Sequence, residues 1–147
     1  MIQITRTLCL GFMLVVTGIL LQQCGSSDPA TPTEAQRVTS LMKTGPWKIQ
    51  SVTVDGVNQN ALFTGLTLSF SDKGFTSTNG VPVWPLSGTW TFVNDQASSF
   101  TRNDGVIVTI QDITSTSMTL RLTWSKTTFG PGRVTSISGQ TVFIFKQ

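Results

Sequence analysis

The chain has no histidine, no tyrosine, only two cysteines and only 12% charged residues. Without histidine, the commonest general base and metal ligand is missing. One cysteine, Cys9, lies in an apolar N-terminal run, so Cys–His zinc chemistry is excluded from any folded domain that follows. Ten Lys and Arg stand against seven Asp and Glu, a formal net charge of +3. The basic residues are scattered among Ser and Thr, and no cluster forms an electrostatic footprint for nucleic acid.

Carboxylates are the remaining catalytic candidates: Asp28, Glu34, Asp55, Asp72, Asp95, Asp104 and Asp112. Asp55 precedes Gly56, Asp72 precedes Lys73-Gly74, Asp95 follows Asn94, and Asp104 sits between Asn103 and Gly105. These are turn signatures, in which Asp bonds its own backbone and Gly permits positive φ. Asp112 is expected to open a connection to Ser117, Glu34 to cap a helix, and Asp28 to lie in a tether. No pair is left for general acid–base work and no spacing suits a Ca²⁺ loop. The expectation is a protein that is not an enzyme, with no cofactor and no metal site.

What is present begins at the N-terminus. Arg6 is followed by an apolar run from Leu8 to Leu21 and a polar break at Gln22-Gln23-Cys24. A positive start, a short apolar core and a polar end describe an export signal. The run falls short of the roughly 20 residues a membrane-spanning helix needs. Leu21-Gln22-Gln23-Cys24 resembles the lipobox of bacterial lipoproteins, with Gln23 where that motif usually has a small residue. The resemblance implies that residues 1–23 are removed, that Cys24 carries acyl chains into the membrane, and that the protein reaches the outer membrane. Cys24 would otherwise be an odd cysteine in an exported protein.

Residues 24–31 are small, polar and Pro-containing, and read as a flexible tether. Thr31-Pro32-Thr33-Glu34 fits a capping box with Pro at the first helical position. Ala35, Val38, Leu41 and Met42 follow at helical spacing, with Gly45 as the stop. From Trp47 onward the pattern is that of β-strands. The first, over 46–54, changes parity between Trp47/Ile49 and Val52/Val54, which predicts a bulge near Gln50-Ser51. Further strands carry Leu66, Leu68 and Phe70, then Phe75 to Thr78, then Trp90 and Phe92, then Phe100, then Val106, Val108 and Ile110. Met118, Leu120, Leu122 and Trp124 form the cleanest period-2 face. A Gly/Pro loop over 126–132, a short strand over 134–137 and a last strand over 141–145 complete the chain.

About eight strands joined mostly by turns predict an all-β domain over residues 32–147. It would be an antiparallel up-and-down β-barrel with a short N-terminal helix, or alternatively a β-sandwich. A short helix followed by Gly45-Pro46-Trp47, entering a bent first strand and a β meander, resembles the lipocalins, and in particular lipocalin-like domains of bacterial envelope lipoproteins. Gly88-Thr-Trp-Thr-Phe92 is similar in style to their inner strands. The resemblance implies that Trp47 lies at the barrel floor beneath the helix. It also implies a late arginine packed across that Trp, for which Arg121 and Arg133 are both candidates, and a small apolar or amphipathic ligand inside the barrel. The family's second motif, which contains Tyr, is absent. Trp84, between Pro82 and Pro85 in the loop 79–87, is expected either as a plug on the barrel mouth or as an exposed contact. Trp84, Trp90 and Trp124 are the candidate ligand or partner contacts. The other expectation is a scaffold module with a filled barrel that meets a protein or glycan through its loops.

Overall fold

The computed structural model describes residues 31–125 and 137–147. Helix α1 spans Glu34–Met42, and nine strands follow: β1 Trp47–Val54, β2 Val57–Asn58, β3 Thr67–Phe70, β4 Gly74–Thr78, β5 Ser87–Phe92, β6 Ser99–Arg102, β7 Ile107–Ile113, β8 Ser117–Trp124 and β9 Gly139–Lys146. Every pairing is antiparallel. β3 to β9 neighbour one another in chain order, and β1 pairs with both β3 and β9. The result is a closed eight-stranded barrel, with β2 as an extra strand on β1. A sandwich would have left open edges; closure removes them.

α1 starts two residues later than a cap at Thr31 would place it. Thr33 is the N-cap, in extended conformation, and its Oγ1 accepts from Gln36 N at 3.2 Å. Gln36 Oε1 accepts in return from Thr33 N at 2.8 Å. The box is therefore Thr-x-x-Gln, and Glu34 is left to pair with Arg37 at 2.6 Å. Val38 and Met42 are buried, and the helix ends in a cap at Lys43.

β1 contains the expected bulge. Its pairing with β9 runs Lys48↔Lys146 and Ile49↔Phe145, then resumes at Ser51↔Ile144. Gln50 is the extra residue, and it returns Val52 and Val54 to the side of Trp47. Past the bulge β1 leaves β3 for β2, joined through Asp55 and Gly56, both at positive φ (50° and 82°). That is the backbone of a two-residue hairpin matched to strand twist. A second bulge, at Gln111, shifts β7 against β8 between Ile110 and Asp112. Asp112 thus lies inside β7, and the connection to β8 is shorter than expected. The strand expected over 134–137 falls mostly outside the described residues; Ile137 itself is buried and non-strand.

The interior is filled by aromatic contacts that run from wall to wall. Phe70 meets Trp90, Phe100 and Phe75 at centroid distances of 6.4, 6.0 and 6.4 Å. Phe75 meets Trp84 at 5.6 Å, and Trp84 meets Phe143 at 6.0 Å. Phe143 continues to Phe63 at 5.2 Å and Phe145 at 6.1 Å. Gly88 lets this packing close: a Cβ there would stand 2.7 Å from the Phe75 ring. An eight-stranded barrel has an interior only just wide enough for its own side chains, and here large rings occupy it.

Candidate functional site

The two barrel ends are built differently. At one end α1 leads into β1 and lies against β7. Trp47 is fully buried there, and its Nε1 donates to Met42 O at 2.8 Å. Its position under the helix follows from Gly45-Pro46, which carries the chain from the helix straight into β1. Lys43 at the helix end pairs with Asp72 in the β3–β4 turn at 2.5 Å.

The opposite end is closed by the loop between β4 and β5. Its Val81–Pro82 peptide is cis. Trp84 N donates to Gly80 O at 2.8 Å, which curls the loop back on itself. Ser77 Oγ on β4 donates to Pro85 O at 2.8 Å, and Ser77 N to Leu86 O at 2.9 Å. These bonds aim Trp84 down into the barrel, where it is 0% exposed. Its Nε1 has no hydrogen-bond partner, and neither has the buried Thr141 Oγ1 on β9. The Trp84 indole is held by its ring contacts rather than by a hydrogen bond.

Arg102 on β6 completes the plug. It is 1% exposed, and its guanidinium lies 4.8 Å from the Trp84 ring centroid and 5.9 Å from that of Phe75. Nη1 donates to Val83 O at 2.8 Å. Nε donates to Asp104 Oδ1 at 3.1 Å, and Nη2 donates to Asp104 Oδ2. Such a bidentate fork is the geometry that suits a desolvated arginine. Asp104 Oδ1 also accepts from Val106 N at 3.2 Å, fixing the turn that presents it.

Arg102 was not among the expected residues. The signal was there: Phe100 and Arg102 share a parity in one short strand, and Asp104 follows at once. The arginine expected across Trp47 is not at Arg121, which sits on β8 between the inward Leu120 and Leu122 and faces the other way. Arg133 lies outside the described residues. Among the described residues the buried arginine is Arg102, which stacks on Trp84 at the end away from the helix.

The candidate contacts Trp84, Trp90 and Trp124 are all interior, at 0%, 4% and 4% exposure. Trp84 as an exposed contact is therefore corrected: it is the plug, because two apolar rings and one guanidinium hold it inside. Trp90 Nε1 donates to Ser71 O at 3.2 Å and Gly74 O at 3.1 Å, tying the β3–β4 turn to the core. Of the turn aspartates, Asp104 bonds its own turn backbone as expected, while Asp55 and Asp72 reach residues far along the chain. Asp55 Oδ1 accepts from Gln140 N at 2.9 Å, and Asp72 and Asp104 pair with Lys43 and Arg102. Among the described residues no group of three or more Cys, Asp or Glu could hold a metal. Cys24 and Asp28 lie outside the described residues.

Val93, at 52%, is exposed at the helix end after β5, and large apolar side chains stay exposed at the plugged end: Val57 at 61%, Val81 at 55%, Leu86 at 68% and Ile107 at 57%. The β1–β2 hairpin, the plug loop and the turn before β7 all emerge at that end, because an antiparallel meander returns every second connection to the same side. No family model, curated protein or solved structure matches this chain.

Proposed function

We propose that this protein is a non-enzymatic lipoprotein of the bacterial outer membrane, anchored through an acylated Cys24, whose lipocalin-like barrel is filled and serves as a protein-interaction module. The observation that carries the reading is Trp84. It crosses the lumen between β4 and β9 and occupies the space a lumenal ligand would need. The work then falls to the outside. The exposed Val57, Val81, Leu86 and Ile107 belong to the hairpin, loop and turn at the plugged end, and an apolar patch on a loop-built rim is a protein-contact surface.

The test compares in-cell cross-linking of wild type with the Val81→Asp/Leu86→Asp variant. Both residues are exposed, so the fold should survive with an unchanged melting temperature. The variant should lose the cross-linked species that wild type forms. An identical cross-linking pattern in the two proteins would overturn the rim as the working face.

A further inference from the structure

A groove of about 520 Å³ lies at the helix end of the barrel, between α1, the β3–β4 turn and the end of β5. We propose that it binds a single-chain amphipathic anion, with the apolar tail lying against the barrel wall and the anionic head at Lys73. The inference goes beyond the rim reading and does not depend on it.

Small residues hold the groove open on the helix side. Ala35, Thr39 and Ser40 line it, where larger side chains would close it. Part of its polar lining is already engaged, while the Ser40 and Thr91 hydroxyls and the Gln36 amide nitrogen remain on it. Thr39 Oγ1 donates to Ala35 O at 2.7 Å, so its methyl is what remains for the groove. Gln36 Oε1 is committed to the helix cap. Across the groove stand Trp90, with its Nε1 satisfied from within, and Phe92, packed edge-on to Trp90 at 4.8 Å and only partly covered. The lining is therefore mostly apolar with a few hydroxyl and amide groups, and the volume lies in the range of small-ligand sites, about 300–1,000 Å³.

The mouth is different in chemistry. Lys43 and Asp72 pair there and cancel. Lys73 lines the same mouth, is exposed, and has no ion-pair partner among the described residues. One uncompensated cation at the end of an apolar slot fits one anionic head on one apolar tail.

The test is titration of the folded domain, residues 32–147 with its tether, with decanoate below its micelle concentration. Amide shifts of α1 and β5 are followed by NMR. Decanoate should saturate and move residues 35–43 and 90–92 rather than the plugged end. Lys73→Glu should weaken decanoate about fivefold, the scale of one surface ion pair, and leave decanol unchanged. Ser40→Trp, at an exposed position that should not disturb the core, should abolish binding of both; Ala35→Leu should do the same from the inner wall. Absence of saturation overturns the proposal. So does binding that Ser40→Trp and Ala35→Leu leave intact, or shifts confined to Trp84, Phe143 and Arg102, which would place the ligand in the lumen. Binding only to phospholipid vesicles, with free decanoate inert, overturns it as well. Failure here leaves the rim variant's outcome untouched, so the two readings fail separately.

Discussion

Truncating Trp84 is the perturbation that bears most directly on a filled barrel. The side chain is fully buried, sits between Phe75 and Phe143, and carries the Arg102 guanidinium on its face. Its Nε1 makes no hydrogen bond, so no bond is lost on truncation. The cost comes from packing and from the cavity left behind, about 3–5 kcal/mol for a buried aromatic cut to Ala. Small domains have only about 5–15 kcal/mol in all. With a urea slope of about 1–3 kcal/mol per molar, the midpoint should fall by roughly 2 M. Trp84→Phe keeps a ring and removes an N–H that was buried without a partner, a group that costs about 1–3 kcal/mol to desolvate. That gain offsets part of the smaller ring's packing loss, so Trp84→Phe should cost less than about 1.5 kcal/mol. Far-UV circular dichroism in urea reads both variants. A loss below about 1 kcal/mol for Trp84→Ala would refute the plug, because only a side chain able to leave the lumen could be removed so cheaply.

Trp47→Ala should likewise cost about 3–5 kcal/mol, and Trp47→Phe should retain a measurable deficit because the bond from Nε1 to Met42 O is lost; equal stability of Trp47→Phe and wild type in urea would count against that bond. Arg102→Met leaves Val83 O without its donor and removes the pair with the solvent-accessible Asp104, and should cost about 1–3 kcal/mol, the scale of one unsatisfied buried polar group. Adding Asp104→Asn should restore part of that loss, and strict additivity in the double-mutant cycle would show that the two residues are not coupled. Cys24→Ser should release the protein to the soluble fraction or leave its signal uncleaved. Normal membrane retention of that variant, with no acyl mass on the wild type, would remove the anchor from the proposed function.

Local chemistry made much of this domain readable from its residues. The period-2 faces, such as Met118 to Trp124, survive as buried faces of strands. The parity change in β1 located the bulge at Gln50 because a one-residue slip has only one remedy that keeps both halves inside. Asp55-Gly56 marked a turn for a similarly local reason, while the short strand β2 that makes it a hairpin came from the structure. The helix start was off by two residues because Thr31 and Thr33 each head a plausible capping box, and only the observed reciprocal bonds between Thr33 and Gln36 decide between them.

The sequence by itself determined an all-β meander behind one short helix, since strand period, turn residues and caps act within a few residues of each other. Only the tertiary structure decided that the meander closes through β1 and β9 rather than folding into two sheets. It alone decided that Trp84 goes inside and that Arg102 stacks on it. Closure and plugging depend on contacts between residues far apart in the chain, Trp84 with Phe143 and Asp55 with Gln140. Whether a loop tryptophan faces water or the lumen depends on the space that eight closed strands leave open, and no local pattern encodes that space.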